Sequence, residues 1–480
     1  MQDKLIQEID TIFNPRAVAF FGVSGLTNRL GNLMLFSFLD CGYPGILYPV
    51  NKNETSIMNQ TCYPCLEDIP GPVDLAIISV HPDRVEKVID ECLDKGVKGA
   101  VIFTSGFGET GEEGRKRQQD IVARARAGGM RIIGPNCMGL YSSQSKIAFF
   151  PGMPGEKGSV AFLSQSGSLA NMLGLFAAER GLSFSRMVSV GNAADLDVTD
   201  FLQYLGEDND TDVIACYMEG VSDGRRFLEV AGSVSLKKPI LLWKVGDTEG
   251  GKRGVRSHTG SMAGSGLLWD AAIKQAGIVR VENLVELVGF ITAFTRPCMP
   301  TGRNIVIISG PGGAAISAAD ACEREGLVLA EPGEETVREL AGIIPEFGTS
   351  TSNPIDLSLE SSFDVTLYPG AVEICGRDSN VDIILAIVTV LRKEIVEGLI
   401  RAKNAINKPV AIITLPEHST FSGSMSSLFG TVQKEEYPGI LRQLYEAGIS
   451  VHATEQEAAR ALSSLCFYAD HVSALKRHKK

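Results

Sequence analysis

The feature that most constrains the fold is a pattern that recurs along the chain. A short apolar run is followed by a turn of small residues and then by a helical pattern, and this happens at residues 17–39, 160–180 and 304–325. Such runs are typical of buried strands in parallel sheets. A chain of 480 residues is too long for one hydrophobic core. The sequence therefore predicts an α/β protein of three doubly wound domains, at residues 1–145, 150–296 and 302–470.

In the first domain, the predicted strands end in small or polar residues, where open α/β sheets bind their ligands. The turn after the first strand and the helix start behind it favour a phosphate. However, the full GxGxxG pattern is missing. The second strand ends in Asn51 and Lys52, where a dinucleotide enzyme would place an acidic residue on the ribose. A cation there counts against NAD and favours a phosphorylated nucleotide such as CoA.

In the second domain, a strand runs directly into Ser164, Gln165, Ser166 and Gly167 at a helix start. Unpaired N–H groups and the helix dipole favour an anion there, although plain capping by serine explains the same residues. Glu219 ends a later strand, where a carboxylate can fix the tautomer of a histidine.

His258 lies in a stretch of small residues and is one of six histidines in the chain. Our hypothesis is that it carries a phosphoryl group as a nucleophile. The alternative is an incidental histidine in a glycine-rich surface loop.

Composition limits the classes of function. The net charge of −12 and the pI of about 5.2 disfavour nucleic-acid binding. We expect neither a signal peptide nor a membrane span, because no suitable apolar run occurs. The ten cysteines are scattered, and the pair Cys62 and Cys65 is not accompanied by zinc-type spacing. We therefore predict a cytoplasmic protein without a metal site.

Taken together, the motifs resemble those of the alpha subunit of the NDP-forming acyl-CoA synthetases, relatives of succinyl-CoA synthetase. The matching stretches cover nearly the whole chain in the order found in the family. They are Gly22-Val23-Ser24, Tyr48-Pro49-Val50-Asn51, Gly106-Phe107-Gly108-Glu109, Gly134-Pro135-Asn136-Cys137, Ser164-Gln165-Ser166-Gly167, Gly191-Asn192, Glu219-Gly220, Ser257-His258-Thr259-Gly260 and Asn353-Pro354-Ile355-Asp356.

The resemblance implies a Rossmann-like CoA-binding domain followed by two flavodoxin-like ligase domains. It implies that His258 becomes the phosphohistidine, that Glu219 is its partner, and that CoA is a substrate. We expect phosphate contacts from Ser164, Gln165, Ser166, Gly167, Gly191 and Asn192. We expect CoA contacts from Gly22, Val23, Ser24, Gly25, Arg29, Pro49, Val50, Asn51, Lys52, Ser105, Gly106, Phe107, Asn136 and Cys137.

No ATP-grasp domain and no GxxxxGK[ST] loop are recognisable in the sequence. The resemblance therefore implies a separate beta subunit that binds ATP or ADP with Mg²⁺, in an α2β2 heterotetramer. The expected activity is that of an acid–thiol ligase that acts on a small carboxylic acid or its acyl-CoA. Three alternatives remain at this point: an acyl-CoA sensor on the same scaffold, a Rossmann oxidoreductase, and a binding protein without chemistry. The sequence does not identify the acyl group.

Overall fold

The structure is a computed structural model that describes residues 2–26, 29–259, 266–296, 298–414, 432 and 434–478. The chain forms two compact units. The first unit contains residues 1–178 and 183–280, and the second contains residues 179–182 and 281–480.

The first sheet of the first unit has five parallel strands in the order β2-β1-β5-β6-β7. Four of these strands are completely buried or nearly so, because their side chains are apolar and helices cover the sheet. The strand order reverses between β1 and β5, because β2 lies on one side of β1 and the later strands lie on the other. Such a switch point leaves a crevice at the carboxyl ends of the two strands. The elements are α1 (Gln2–Phe13), β1 (Ala17–Phe21), α2 (Leu30–Asp40), β2 (Ile46–Val50), β3 (Ser56–Ile57), β4 (Gln60–Thr61), β5 (Leu75–Ile78), α3 (Pro82–Lys95), β6 (Gly99–Ile102), α4 (Glu112–Ala127) and β7 (Arg131–Ile133).

The second sheet has the order β13-β12-β11-β9-β10-β8. Its strand β8 is antiparallel to β10, and it precedes the domain boundary predicted at residue 145. The strand order reverses between β9 and β11, which are parallel. The elements are β8 (Gly139–Ser142), β9 (Val160–Ser164), α5 (Gly167–Ala178), β10 (Phe184–Ser189), α6 (Val198–Leu205), β11 (Val213–Met218), α7 (Gly224–Ser235), β12 (Ile240–Lys244), α8 (Glu249–Thr259), α9 (Gly266–Gln275) and β13 (Val279–Val281).

The third sheet belongs to the second unit and has the order β15-β14-β17-β18-β19, with β16 paired to β14. Its core is formed by apolar side chains of β14, β17 and β18 and of the helices that cover them. The elements are α10 (Leu284–Phe294), β14 (Asn304–Ser309), α11 (Gly312–Arg324), β15 (Val328–Leu329), α12 (Glu334–Ala341), β16 (Ile355–Asp356), α13 (Leu367–Arg377), β17 (Ile383–Val388), α14 (Lys393–Ala405), β18 (Val410–Thr414), α15 (Tyr437–Glu446), β19 (Ile449–His452) and α16 (Glu455–His478).

Within the first unit, residues 192–196 join the second sheet to the end of β7. The backbone N–H groups of Asn192, Ala194 and Leu196 donate to carbonyl oxygens of residues 135, 134 and 132. The buried carboxylate of Asp195 accepts hydrogen bonds from the backbone N–H of Ile132 at 2.7 Å and from two arginines, Arg126 and Arg131. This seam fixes the carboxyl ends of both sheets next to each other.

The predicted fold class is confirmed: the three sheets are mainly parallel and helices cover them. Among the described residues, no helix combines the length and the apolar character that crossing a membrane requires.

Candidate active site

An outer groove lies at the carboxyl ends of β1 and β2 and at the start of α3, where the first sheet reverses its strand order. Its volume is about 1010 Å³. Among its described lining residues, Arg29, Lys52, Arg84 and Lys87 are basic and Glu91 is the one acid. A groove with this excess of positive charge attracts polyanionic ligands such as phosphates.

The turn after β1 is fixed by a close approach of two strands. Gly22 has a φ of +91°, and a Cβ at this position would lie 2.3 Å from the backbone oxygen of Ser79. Only glycine fits such an approach. The side-chain amide of Asn51 donates a hydrogen bond to the backbone oxygen of Val23 at 2.7 Å. The predicted residues Gly22, Val23 and Asn51 therefore shape the wall of the groove.

Two N–H groups of this turn donate to side chains of the protein itself. The amide oxygen of Asn32 accepts a hydrogen bond from the backbone N–H of Ser24 at 2.9 Å. The carboxylate of Glu54 accepts one from the backbone N–H of Gly25, also at 2.9 Å. A phosphate bound in the outer groove therefore depends on other donors, of which the basic side chains are the nearest candidates.

An inner cavity of about 410 Å³ lies between the carboxyl ends of the first and second sheets, within the first unit. It shares the lining residues Leu30, Ser79 and Val80 with the outer groove, so the two spaces adjoin at these residues. The rest of its wall is mostly small or polar and comes from the strand ends of both sheets. These residues are Pro82, Phe103, Thr104, Ser105, Asn136, Cys137, Met138, Gln165, Ser166, Gly167, Ser168, Gly191 and Asn192.

The turn at the start of α5 forms one wall of the inner cavity. The hydroxyl of Ser164 is buried, donates to the backbone oxygen of Ser166 at 2.6 Å and accepts from its N–H at 3.1 Å. This pair of bonds closes the turn, so Ser164 supports the site from behind. The hydroxyls of Ser166 and Ser168 are 3.4 Å apart, and both residues line the cavity at the positive end of the helix dipole.

Gln165 holds the turn that contains Glu219. Its amide oxygen accepts hydrogen bonds from the backbone N–H groups of Glu219 and Gly220 at 2.5 and 3.1 Å, and its amide nitrogen donates to the Gly220 oxygen at 3.0 Å. Glu219 is 4 % exposed. The side chain of Gln165 therefore fixes the end of β11 and its carboxylate residue, and the phosphate contact of Gln165 stays a prediction.

Asn136 and Asn192 lie side by side in the wall of the inner cavity. The backbone of Asn136 has a φ of +56°. Its amide nitrogen lies 3.4 Å from the amide oxygen of Asn192. Gly191 makes this proximity possible, because a Cβ there would lie 2.3 Å from the backbone oxygen of Asn136 and 2.4 Å from that of Pro135.

The loop after β6 is fixed by Glu109. Its carboxylate accepts hydrogen bonds from the backbone N–H groups of Gly106 and Phe107, at 2.5 and 3.2 Å, and from the amide of Asn192 at 2.6 Å. Burial favours a higher pKa for Glu109, but these hydrogen bonds outweigh it and hold the pKa below the ordinary value of 4.5. Glu109 is therefore ionised at neutral pH.

Two of the residues predicted to contact CoA, Phe107 and Cys137, have buried side chains. The ring of Phe107 is completely buried in the core of the first sheet. The thiol of Cys137 is also buried and donates weakly to the backbone oxygens of Ile102 and Ile133. Burial raises the pKa of Cys137 to about 12, so this residue is a neutral thiol and not a nucleophile.

The backbone of α8 is described as far as Thr259, and α8 lies beside the short turn Gly108–Thr110 of the first sheet. The side chain of His258 and residues 260–265 lie outside the described residues. The hypothesis that His258 is the nucleophile therefore stays a prediction. Within the described ranges, no group of His, Cys, Asp and Glu side chains is arranged to hold a metal ion.

The structure brings together most of the predicted residues. Arg29, Val50, Asn51 and Lys52 line the outer groove with the first turn. Ser105 lines the inner cavity with all of the predicted phosphate contacts except Ser164. Pro49 and Gly25 support these walls from the second strand and the first turn. Sequence reasoning missed Glu109, Gln118, Arg84 and Lys87 as parts of the site, because their positions depend on contacts between distant segments.

Comparison with known proteins identifies the family. A family model described as a CoA binding domain matches residues 16–143, and one described as a succinyl-CoA ligase like flavodoxin domain matches residues 157–294. The alpha subunit of the ADP-forming acetate–CoA ligase II of Pyrococcus furiosus is 39 % identical over 413 residues, which are 85 % of this chain and 89 % of that protein. The chain belongs to the NDP-forming acyl-CoA synthetases. It is similar over most of its length to their alpha subunits.

Two further relatives extend this assignment. The ADP-forming acetate–CoA ligase I of Archaeoglobus fulgidus is 38 % identical over 382 residues, which are 79 % of this chain and 55 % of that longer protein. A solved structure of the dinucleotide-forming acetyl-coenzyme A synthetase 1 of Ca. Korarchaeum cryptofilum, in complex with phosphate and ADP, has a TM-score of 0.85 and 32 % identity. The match covers 98 % of this chain and 99 % of that one. Membership of this family excludes the oxidoreductase alternative and disfavours the sensor.

Proposed function

We propose that this chain carries the acyl-transfer site of an ADP-forming acetate–CoA ligase. The overall reaction interconverts acetyl-CoA, phosphate and ADP with acetate, CoA and ATP. Acetate is the acid to test first, because the relatives described above are named for acetate or acetyl-CoA. The observation that carries the proposal is that the basic outer groove and the inner cavity adjoin, with Leu30, Ser79 and Val80 lining both.

In this proposal, CoA lies with its phosphates in the outer groove and its thioester end in the inner cavity. Arg29, Lys52, Arg84 and Lys87 supply positive charge at the phosphate end. The inner cavity offers small and amide side chains, which suit the narrow pantetheine arm and a short acyl group. This arrangement brings the thioester to the turn at the start of α5.

The α5 turn binds the inorganic phosphate. A phosphate oxygen attacks the carbonyl carbon of the thioester, the C–S bond breaks, and CoA leaves as a thiolate that takes up a proton. The product is an acyl phosphate at the helix N-terminus, where the helix dipole and the hydroxyls of Ser166 and Ser168 stabilise its charge.

His258 then accepts the phosphoryl group. A ring nitrogen attacks phosphorus, the P–O bond to the acyl group breaks, and acetate leaves. Glu219, held at the end of β11 by Gln165, is proposed to bind the second ring nitrogen and to stabilise the positive charge that develops on the imidazole. The phosphohistidine afterwards transfers its phosphoryl group to ADP.

The nucleotide site is proposed to lie on a partner chain. Two sizes of relative support this: the alpha subunit from Pyrococcus furiosus is matched over 89 % of its length, whereas the longer ligase from Archaeoglobus fulgidus is matched over 55 %. We infer that the additional part of the longer ligase corresponds to a separate beta subunit here. We propose an ATP-grasp fold for this subunit, which would bind ATP or ADP with Mg²⁺, an α2β2 assembly, and a cytoplasmic location.

Labelling of the histidine by two routes tests the proposal. The complex that the tagged chain forms in its source organism is incubated with Mg²⁺ and γ-³²P-ATP, or with acetyl-CoA and ³²P-phosphate. We expect acid-labile, base-stable label on this chain by both routes. His258→Ala should abolish both, because both routes end at the same nitrogen.

The acyl-CoA sensor predicts a different outcome. A sensor would bind acetyl-CoA in the same groove and would acquire no label by either route. Binding without label in a complex that contains the partner chain would therefore refute the ligase and favour the sensor.

A further inference from the structure

The side chain of Glu109 links three parts of the site. One of its carboxylate oxygens accepts hydrogen bonds from Gly106 and Phe107 in the loop after β6, and the other accepts one from the amide nitrogen of Asn192. Its own backbone belongs to the turn Gly108–Thr110, beside which α8 lies. The ionised carboxylate of Glu109 therefore contacts the wall of the inner cavity, and the turn that carries it lies next to α8, the helix that contains residue 258.

The hydrogen bonds determine which way the amide of Asn192 points. An ionised carboxylate only accepts hydrogen bonds, so Asn192 must turn its NH₂ group toward Glu109. The same nitrogen donates to the amide oxygen of Gln118 at 3.0 Å, and this oxygen is itself fixed by a hydrogen bond from the backbone N–H of Gly108. Both N–H bonds of the Asn192 amide are thus directed into the protein.

The orientation of Asn192 then determines that of Asn136. With its NH₂ group held by Glu109 and Gln118, Asn192 presents its amide oxygen to the amide nitrogen of Asn136. Asn136 lines the inner cavity, next to the α5 turn. The chain of contacts therefore runs from Glu109 through Asn192 to an amide that faces the proposed position of the thioester.

We propose that Glu109 is a positioning residue for the acyl-transfer step, because it orients the Asn192–Asn136 pair. The inference rests on the proposed function. It also revises the predicted role of Asn192: its donors are used within the protein, so it acts on the substrate through Asn136 and does not donate to the phosphate.

Glu109→Gln is the decisive variant, because it keeps the shape and removes the second acceptor. A carboxylate accepts on both oxygens, whereas an amide has one oxygen and an NH₂ group that would face the donors of either Asn192 or Gly106. The pair should therefore lose its orientation. Misplacement by about 1 Å can cost about a hundredfold in rate. The matched control is Glu112→Gln, which neutralises an exposed acid in the first turn of α4.

The two labelling routes distinguish positioning from a general defect. In Glu109→Gln, labelling from acetyl-CoA and phosphate should slow by about a hundredfold. Labelling from ATP should stay within about twofold of the wild type, because it does not use the inner cavity. A misfolded chain or a displaced His258 would slow both routes equally. Adding Glu109→Gln to Asn192→Ala should change the rate by less than about twofold, since Glu109 acts through Asn192.

Several outcomes would overturn the inference. Wild-type rates by both routes in Glu109→Gln would do so, and so would equal slowing of both, or independent effects of Glu109→Gln and Asn192→Ala. If Glu109→Gln does not fold, Gln118→Leu tests the inference instead, because it removes the second acceptor of the Asn192 amide. It should slow only labelling from acetyl-CoA and phosphate, by about tenfold. A wild-type complex that gains no label would instead contradict the proposed function.

Discussion

Replacement of Gly191 by alanine tests how closely the two sheets must approach at the inner cavity. The added Cβ would lie 2.3 Å from the oxygen of Asn136 and 2.4 Å from that of Pro135. Both neighbours are backbone atoms, which cannot rotate away. An ordinary contact begins at 3.4 Å, so the strand end that carries Asn136 must retreat by about 1 Å. The φ of +52° at Gly191 adds about 1 kcal/mol for any residue with a side chain.

This retreat separates Asn136 from Asn192, whose amides are already 3.4 Å apart. A displacement of about 1 Å predicts a loss of about a hundredfold in the transfer from acetyl-CoA and phosphate to His258. The assay is the initial rate of labelling by this route, together with thermal unfolding. Labelling from ATP serves as the internal reference, because we expect it to stay within about twofold.

The matched control is Gly232→Ala in α7, where an added Cβ meets no atom within 4 Å. Alanine is favoured over glycine inside a helix by about 1 kcal/mol, so this variant should be more stable and fully active. The reasoning would be refuted if Gly191→Ala transferred from acetyl-CoA at the wild-type rate. The close approach would then have no role in catalysis.

Three further predictions concern individual side chains. Gln165→Leu leaves two N–H groups of the Glu219 turn without their acceptor, which costs about 1–3 kcal/mol for each group. This variant should slow labelling by both routes, while calorimetry should find an unchanged affinity for CoA. Labelling at the wild-type rate would contradict the role of Gln165. Hydrogen bonds hold the pKa of Glu109 below its ordinary value of 4.5, so its ionised form stabilises the fold above pH 4.5. The difference in Tm between wild type and Glu109→Gln should therefore be largest at neutral pH and should be lost as the pH falls through the lowered pKa. Burial raises the pKa of Cys137 to about 12, so mass spectrometry after iodoacetamide treatment at pH 8 should find Cys65 modified and Cys137 intact; modification of Cys137 in the folded chain would contradict this.

Local sequence patterns were sufficient to predict the buried strand that opens each domain and the helix start behind it. The Ser164 turn is an example, because a buried strand that runs into small residues at a helix start has few other conformations. The patterns failed at α8, because the glycines around His258 indicated a loop where the structure has a helix. The role of Gln165 could not be predicted, since its partners at Glu219 and Gly220 come from a different strand and lie more than fifty residues away in sequence. Its type and position predicted the correct neighbourhood, because Gln165 lines the inner cavity, but not the hydrogen bonds to Glu219 and Gly220.

The third sheet also shows that local sequence patterns do not determine which groups a turn binds. Ser309 donates to the backbone oxygen of Pro311 at 2.9 Å, which repeats the bond from Ser164 to Ser166. However, the backbone N–H of Gly310 donates to the hydroxyl of Tyr368, and this hydroxyl comes from α13. Two turns with the same local pattern therefore differ in how their donors are used. Only the tertiary contacts distinguish them.

The seam at residues 192–196 has a consequence for the thermodynamics of binding. Asp195 and the backbone bonds around it join the walls of the inner cavity when the chain folds, before a ligand arrives. Binding therefore carries no conformational-entropy cost for assembling these walls. The heat-capacity change on CoA binding should follow from the apolar area that the ligand covers, without a contribution from ordering the protein. Substitutions in the seam should weaken folding and binding together, because both depend on the same contacts.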